Sequence, residues 1–520
     1  MSRGRVVSLL AFLSVLLAPT LVNAQHPQGT TPSAPQPTQT EVSYQMARAV
    51  LDAAANALSG GKPLPGVDVV SFQIAGKLLH RNQSPKADGP PEGTPFRGEV
   101  AVDFTRNWMV FERTSSFPGG FDFSNRVVRM GDETVNYNLI RQQHSPMSAQ
   151  AAAGFFENVV LRRLPQYLVK SALDRAATLR WAGEADFNGA KHKVISYATP
   201  TGGTLSLYFD AQTNLLSKFE SLASDSMFGD VAVETIFTGY QVVEGIPLPT
   251  GQLDKRGGVP TLEVAFTGYS LAPIPDTFAP LPFTPAPQSP PAQPAVKELA
   301  KDVYLIEGLA GGGYRVLFVN FREYIIIVEA PVGDDVTQAV LRLVRETVPN
   351  KPIRAVAITH HHDDHAGGIR GYLAEGIQLI TTPRNQNFLH GVVRARFTIQ
   401  PDAYARSGRR GGSVDFIEGG KAVFTDGRLT LELRDIGPGP HAQEMLVAWL
   451  PQEKILFQGD LLNRQGDGVL LPANDTTAHF AEWLKKAGLQ VEKLVGVHGP
   501  MSTMAELASM LELRQQRVAK

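Results

Sequence analysis

The stretch that most constrains this chain is residues 355–368, which read AVAITHHHDDHAGG. Its first four residues are apolar, as in a short strand, and four histidines and two aspartates follow within six residues. These polar side chains are therefore predicted to lie on the loop after the strand, where α/β proteins place their chemistry. Imidazole and carboxylate groups at this density favour a divalent metal such as zinc over calcium or magnesium, which prefer oxygen ligands.

The spacing of these residues indicates two ligand positions. His360 and His362 can converge on one ion, and Asp364 and His365 can face a second. A solvated histidine-rich tract would have a similar composition, but such a tract is not expected between a buried strand and a helix-starting Gly-Gly pair.

The order His-x-His-x-Asp-His resembles the signature of the metallo-β-lactamase superfamily. That family requires three further ligands in a fixed order, and this chain has His441 in GPGPHAQEM, Asp460 in KILFQGDLL and His498 in LVGVHGP. The resemblance covers roughly residues 298–520. It implies an α/β (α+β) chain whose C-terminal domain, residues 297–520, is a four-layer αββα sandwich.

The resemblance also implies the ligand set and its chemistry. Seven side chains are assigned as ligands: His360, His362 and His441 for one metal ion, Asp364, His365 and His498 for a second, and Asp460 as the bridge. The implied cofactor is zinc, two ions per chain, with iron or manganese as alternatives. Water shared by two such ions loses a proton near neutral pH and attacks a carbonyl. Asp364 is expected to be catalytic, orienting that nucleophile or passing a proton to the leaving group.

Two positions depart from the family's pattern. Relatives usually carry an aspartate near the end of the third strand, where this chain has Glu329, and the sequence assigns that residue no role. Relatives often have threonine after the histidine that corresponds to His441, but Ala442 follows it here. Two weaker candidates for substrate contact are Asn385 and Asn474, which lie in loops after ligand segments.

The function favoured is a metal-dependent hydrolase of an ester, thioester, lactone or lactam, with a small-molecule substrate. A β-lactamase in the narrow sense is a second candidate, although those enzymes generally lack a bridging aspartate like Asp460. An iron-dependent enzyme of sulfur or oxygen redox chemistry is a third candidate. A binding protein with an inactive metal domain is a fourth, and the intact ligand set argues against it.

Composition narrows the function classes further. The formal net charge of −1 over 520 residues argues against a nucleic-acid-binding surface. Nucleic-acid-processing relatives also carry an inserted domain before the last histidine, for which residues 460–498 leave no room. The chain has no cysteine, so neither disulfides nor a cysteine ligand are expected.

The N-terminus predicts export to the periplasm or the extracellular space. Residues 1–24 are typical of a signal peptide, with Arg3 and Arg5 before an apolar run that is short for a bilayer span. An uncleaved anchor is the alternative. The mature chain is expected to lack a transmembrane segment and to begin with a Pro-rich tether, residues 25–40.

Residues 41–280 are predicted to form a mainly antiparallel, β-rich domain that begins with a helix, about 42–58, and has a helical insertion, about 149–177. Their pattern of strands and helices resembles that of the open half-barrel of periplasmic lipoprotein-carrier proteins. No motif identifies the partner of this domain. A second Pro-rich linker, residues 281–296, is predicted to separate it from the metal domain.

Overall fold

The computed structural model describes residues 36–80, 82–117, 121–200, 202–274, 280–287, 292–409, 411–462, 464 and 469–518. The predicted export signal and residues 25–35 of the tether lie outside the described residues. Within the described ranges, no helix has the length and apolar character needed to cross a membrane.

The N-terminal domain is mostly strand, as predicted. It comprises α1 (Gln39–Ser59), β1 (Val69–His80), β2 (Glu92–Asp103), β3 (Trp108–Phe117), β4 (Phe121–Met130), β5 (Glu133–Asn138), β6 (Gln143–Pro146), α2 (Ala149–Phe155), α3 (Pro165–Asp174), β7 (Arg180–Phe187), β8 (Ala190–Ala198), β9 (Thr204–Asp210), β10 (Leu216–Asp225), β11 (Gly229–Phe237), β12 (Tyr240–Val243), β13 (Ile246–Pro249), β14 (Gly251–Arg256), β15 (Val259–Ser270) and β16 (Thr284–Pro285). Among the described residues, all but β12 and β13 form one sheet in the order β16-β6-β5-β4-β3-β2-β1-β15-β14-β11-β10-β9-β8-β7, which is antiparallel except for β16.

Helices cover this sheet. Helix α1 begins at Gln39, three residues before the predicted start, because Thr38 and Glu41 form a capping box that satisfies two backbone N–H groups. The helical insertion continues from α2 to α3 through a π turn and a 3₁₀ turn. Buried apolar residues of α1, α3 and the sheet form a shared core, with Leu51, Val169 and Phe209 at its centre.

The C-terminal domain has two sheets. The first contains β17 (Ala295–Ala300), β18 (Val303–Leu309), β19 (Tyr314–Asn320), β20 (Ile325–Val328), β21 (Ile353–Ala357), β22 (Gln378–Thr381) and β23 (Val414–Phe416), in that order. The second contains β24 (Lys421–Thr425), β25 (Thr430–Asp435), β26 (Leu446–Leu450), β27 (Ile455–Gln458) and β28 (Lys493–Gly496), also in sequence order. The helices are α4 (Asp334–Thr347), α5 (Asp363–Ala366), α6 (Ile369–Ala374), α7 (Gln386–Arg394), α8 (Ala403–Ser407), α9 (Asp475–Ala487) and α10 (Met504–Val518).

The packing of these elements confirms the predicted αββα sandwich. One apolar core lies between the two sheets, because alternate side chains of each strand point to opposite faces. In β21, for example, Ala355 and Ala357 face the second sheet while Val356 faces the helices. Helices α4, α6 and α7 cover the outer face of the first sheet, and α9 and α10 cover that of the second.

Two parts of the predicted linker, residues 281–296, are paired with the sheets. The short strand β16 pairs in parallel with β6 of the N-terminal domain. Strand β17 begins at Ala295 and pairs with β18 of the C-terminal domain. The Pro-rich composition therefore does not exclude strand pairing at either end of this segment.

The two domains contact each other along the edge of the helical layer. The turn between β10 and β11 inserts Met227, which is fully buried in the core beneath α4, α6 and α7. Next to it, the Asp230 carboxylate accepts hydrogen bonds from the backbone N–H groups of Thr398 and Ile399, at 2.8 and 3.1 Å. The second contact, through the loop between β1 and β2, is at the candidate site.

Asp426, in the turn between β24 and β25, connects the two sheets of the sandwich. Its carboxylate accepts hydrogen bonds from the backbone N–H groups of Arg428 and Leu429, both at 2.8 Å. It also accepts from that of Arg322, at 2.9 Å, in the loop before β20. Burial opposes ionisation, but these donors and the Arg428 side chain outweigh it and lower the pKa of Asp426 to about 2.

Asp426→Asn is therefore expected to lower the free energy of unfolding at neutral pH by roughly 1–2 kcal/mol. Because the folded-state pKa is depressed, this contribution is complete above about pH 4, the unfolded-state pKa of an aspartate. The difference between wild type and variant should shrink as the pH falls towards 2, in denaturant titrations at several pH values. Asp415→Asn, at an exposed position of β23, is the control, and an Asp426→Asn deficit that is the same at pH 3 and pH 7 would contradict the assignment.

Candidate metal centre

The ligand-rich loop follows from the position of β21 in the sheet. This strand is buried between β20 and β22, parallel to both, so its carboxyl end projects polar residues at one edge of the sheet. The loop is fixed by backbone hydrogen bonds from Ala330 N–H to the carbonyl of His365, at 3.2 Å, and from Gly368 N–H to that of Ala330, at 2.8 Å.

The structure brings four of the predicted ligands together as a first set: His360, His362, His441 and Asp460. One ring nitrogen or carboxylate oxygen of each lies within 4.8 Å of the others. His360 Nε2 is 3.1 Å from His441 Nε2, which is 3.3 Å from Asp460 Oδ2. The Nδ1 atom of His362 is buried without a hydrogen-bond partner, as expected of a nitrogen that awaits a metal ion.

A second set shares Asp460 with the first: Asp364, His365, Asp460 and His498. His365 Nε2 is 3.2 Å from Asp460 Oδ2 and 3.3 Å from His498 Nε2. His498 Nε2 is also 3.3 Å from Asp364 Oδ2. All seven residues singled out in the sequence therefore converge, and Asp460 lies between the two sets.

The charge states suit metal binding for most of these groups. Burial lowers the pKa of His360 and of His362 well below the ordinary value, so both imidazoles are neutral, as ligands must be. Burial would raise the pKa of Asp460, but His365 and His441 hold it well below the usual range. The pKa of Asp364 is likewise lowered against its burial, by His365 and His498.

His365 and His498 differ from His360 and His362, because Asp364 and Asp460 outweigh burial and raise the pKa of each. For His365, burial disfavours the protonated form, but Asp460, Asp364 and Glu329 outweigh burial and raise its pKa well above the ordinary value. Without a metal ion this imidazole therefore carries a proton, which a bound divalent cation would displace. Imidazole nitrogens together with carboxylate oxygens fit divalent ions of the zinc type.

Glu329, to which the sequence assigned no role, supports both ligand sets. Its Oε2 atom accepts a hydrogen bond from Thr359 Oγ1 at 2.8 Å and lies 3.2 Å from His365 Nδ1. Thr359 Oγ1 is in turn 3.0 Å from Nδ1 of His360. Glu329 is fully buried and has a φ of 103°, which is strained for a non-glycine residue. The glutamate thus takes the supporting position at which relatives usually have aspartate.

Three further residues lie outside both sets. His361, which lies between two ligands in the sequence, points away from both sets, and its Nε2 donates to the carbonyl of Ser84 at 2.8 Å. Asn385 is buried and donates to Thr381 Oγ1, and Asn474 caps α9 by accepting from the N–H of Thr477. Both asparagines therefore have structural partners, and their contact with a substrate stays a prediction.

Sequence reasoning missed several residues around the centre. Tyr314, at the start of β19, packs edge-on against the His498 ring with a centroid distance of 4.7 Å. Burial and three nearby carboxylates raise the pKa of Tyr314 to about 12. Gly313 accepts a hydrogen bond from His498 Nδ1 through its carbonyl, at 2.8 Å. No local motif marks these residues, because their roles arise from the pairing of β18 with β19.

One side of the centre is open. His360, His362 and His365 are buried, whereas the side chains of His441, His498 and Asp364 keep 24%, 23% and 26% of their surface exposed. A substrate would therefore approach from the side of these three residues.

Residues 324–498 match the family model of the metallo-β-lactamase superfamily, a range that runs from the loop before β20 to the last of the seven predicted ligands. This segment belongs to the metallo-β-lactamase superfamily. The N-terminal domain lies outside the match, as an additional β-rich domain.

The individual proteins to which this chain is similar either match a short segment of it or have a low sequence identity. An alkyl/aryl-sulfatase of Saccharomyces cerevisiae is 31% identical over 78 residues, which is 15% of this chain and 12% of that relative. A metallo-β-lactamase from Pontibacter korlensis is 23% identical, with 43% of this chain and 99% of that chain covered and a TM-score of 0.32. The metallo-β-lactamase FIM-1 from Pseudomonas aeruginosa, in its mono-zinc form, is 19% identical, with coverage of 44% and 99% and a TM-score of 0.33.

Gly459, which precedes Asp460, lies where an added side chain would collide with residues of the centre. A Cβ atom at this position would lie 2.6 Å from Thr359 Oγ1 and 3.2 Å from His360 Nδ1. Gly459→Ala is expected to displace both side chains, to lower the free energy of unfolding by about 1–3 kcal/mol and to weaken metal binding. Thermal unfolding and zinc titration measure the two effects. Gly391→Ala, in α7 where nothing lies within 4 Å of the added atom, should leave metal binding unchanged and should not lower the free energy of unfolding, since alanine is the better helix former.

Proposed function

We propose that this chain is an exported, metal-dependent hydrolase that cleaves an ester, thioester, lactone or lactam at the centre formed by His360, His362, Asp364, His365, His441, Asp460 and His498. The observation that carries the proposal is the pair of overlapping ligand sets that share one carboxylate, in a segment of the metallo-β-lactamase superfamily. Two divalent ions, zinc in preference to iron or manganese, are the proposed cofactors.

The chain's own residues support hydrolysis in distinct ways. Bound divalent ions would supply Lewis-acid chemistry, activating water and polarising a carbonyl. Asp364 is well placed to orient water or to pass a proton to a leaving group, since it is ionised, partly exposed and 3.3 Å from His498 Nε2. The ligands of each set leave the exposed side free for a substrate, as a catalytic rather than a structural metal site requires.

The competing functions differ in metal content and substrate. A narrow-sense β-lactamase is disfavoured by Asp460, and an iron-dependent redox enzyme would contain iron and would consume oxygen or oxidise a sulfur compound. A binding protein with an inactive centre is disfavoured by the intact ligand sets. The named activity of the yeast relative, together with its 31% identity over 78 residues, adds sulfate esters to the substrates that a test should include.

The test is metal analysis of protein purified without chelators, followed by a panel of aryl ester, thioester, lactone, cephalosporin and alkyl sulfate substrates. We expect about two zinc ions per chain and a hydrolytic activity that a chelator abolishes and added zinc restores. His360→Ala should lose both metal and activity, whereas His390→Ala, at an exposed position of α7, should retain them. A wild-type chain that binds no divalent metal, or hydrolysis that persists in chelator, would overturn the proposal.

A further inference from the structure

The N-terminal domain reaches the metal centre through three consecutive residues, Gln83, Ser84 and Pro85. They belong to the loop between β1 and β2, whose described part is residues 82–91. Gln83 Nε2 lies 2.8 Å from Asp364 Oδ1 and 2.6 Å from Asp363 Oδ1. The carbonyl of Ser84 faces His361 and His362, and that of Pro85 accepts from the N–H of Gln443 at 2.7 Å. The loop that carries His362 and Asp364 and the loop that carries His441 are therefore both held from the other domain.

The contact with His362 determines which ring nitrogen faces the metal position. Its Nε2 lies 3.1 Å from the carbonyl of Ser84, and because a carbonyl only accepts, this nitrogen carries the proton. In this tautomer Nδ1 carries no proton and has a free lone pair. Nδ1 is also the atom that is buried without a hydrogen-bond partner. Metal-binding histidines are usually oriented by such a bond from the opposite nitrogen.

The contact of Gln83 with Asp364 likewise determines which oxygen of the carboxylate faces the metal position. The amide of Gln83 binds Oδ1, while Oδ2 of the same carboxylate faces His365 and His498, at 3.5 and 3.3 Å. A donor fixed on one oxygen holds the other towards the second ligand set. The second hydrogen bond, to Asp363, fixes the amide itself.

The loop is rigid enough to act in this way. Ser84 is buried, its hydroxyl donates to the carbonyl of Pro90 at 3.0 Å, and it accepts from the N–H of Glu92 at 3.3 Å. The backbone N–H of Gln83 also bonds to the carbonyl of His80. These bonds anchor the loop to the adjoining ends of β1 and β2.

We propose that the N-terminal domain completes the metal centre, with Gln83 as a positioning residue for Asp364 and the Ser84 carbonyl as the orienting acceptor for His362. The inference rests on the proposed metal-dependent function. It predicts that Gln83 matters for the affinity of the second metal ion, held by Asp364, His365, Asp460 and His498. The first ion should be affected less, since its support from Ser84 is a backbone group.

The variants Gln83→Ala and Gln83→Met separate hydrogen bonding from packing. Methionine keeps the volume of glutamine but has no donor, so a space-filling role would tolerate Met and not Ala. Gln83 and Asp363 also line a cavity of about 360 Å³ between the domains, so the truncated side chain of the alanine variant adds to an existing space. Gln73→Ala, on the strand β1 that precedes this loop, removes a glutamine that binds the exposed carboxylate of Glu99, and it is the matched control.

The experiment titrates zinc into the metal-free full-length chain against a chromophoric chelator, with the d–d absorption of the cobalt-substituted protein as a second readout. We expect both Gln83 variants to bind the second equivalent at least about 10-fold more weakly than wild type, and Gln73→Ala to match wild type. Thermal unfolding of Gln83→Met in chelator should be as cooperative as that of wild type, with a midpoint lowered only by the lost hydrogen bonds, which shows that the fold is intact.

The outcomes distinguish this inference from the proposed function. If wild type binds two ions and both Gln83 variants bind them equally well, the positioning role is wrong and the proposed function stands. If only Gln83→Ala weakens binding, the side chain fills space and the inference is overturned. If wild type itself binds no metal, the proposed function fails and this inference fails with it.

Discussion

Replacing Asp460 with serine is expected to reduce the metal content from two ions per chain to one and to lower turnover by at least about 100-fold, the upper end of losses seen for residues that merely support a ligand. The Asp460 carboxylate reaches both sets, with Oδ2 3.3 Å from His441 Nε2 and 3.2 Å from His365 Nε2. Its other oxygen is 3.5 Å from His498 Nε2. A serine hydroxyl is shorter and uncharged, so it cannot bind and neutralise two cations at once.

Metal stoichiometry measured beside turnover tests this prediction. His441→Ala should instead weaken the first ion, since His441 belongs only to the set with His360 and His362. Asp415→Ser, at an exposed position of β23, controls for the loss of a carboxylate and should leave both quantities unchanged. If Asp460→Ser retains two ions and near-normal turnover, Asp460 makes only a turn and the bridged centre is wrong.

The core of the site was predictable because its information is local. Strand β21 is parallel and buried on both faces, so it reads as a plain apolar run, and the ligands follow it directly. Asp460 and His498 also follow strand ends closely, and His441 lies in the loop between β25 and β26. For these residues, the sequence pattern alone therefore identifies the side chains that the fold brings together.

The supporting residues were not predictable because their role depends on the tertiary fold. Ser84 acts through its backbone carbonyl, which every residue has, and it lies 278 positions from His362. No pattern in the chain signals such a contact. The strand pairing of β16 and β17 at the ends of the Pro-rich segment was missed for a related reason, since it depends on where β6 and β18 present free edges.

Glu329→Ala is the second change with a large expected effect. It would leave the Thr359 hydroxyl and His365 Nδ1 without their shared acceptor, in a place where Glu329 and His365 are fully buried. Loss of one partner from such a buried, charged network costs about 2–4 kcal/mol of folding free energy. Metal affinity should fall by roughly 10–100-fold, because His360 and His365 both lose their orienting bonds.

Glu329→Gln tests the same network with the side-chain volume kept. An amide oxygen in the place of Oε2 can still accept from Thr359 Oγ1 and His365 Nδ1, but it is neutral and therefore a weaker acceptor. The amide nitrogen then lies in the place of Oε1 and presents N–H donors to the backbone N–H of Thr359, which Oε1 accepts in the wild type. We expect stability closer to wild type than in Glu329→Ala, together with a clear loss of zinc affinity. Denaturant titration in chelator measures the stability without the metal contribution.

Glu346→Ala is the matched control, since this glutamate on α4 is mostly exposed and pairs with Arg342 one turn away. It should change the free energy of unfolding by less than about 0.5 kcal/mol and leave zinc affinity intact. The φ of 103° at Glu329 is unfavourable for alanine as well as glutamate, so relief of strain cannot offset the lost hydrogen bonds. Equal zinc affinity in Glu329→Ala and wild type would mean that His360 and His365 are oriented by packing alone, and that the glutamate does not replace the aspartate usual in relatives.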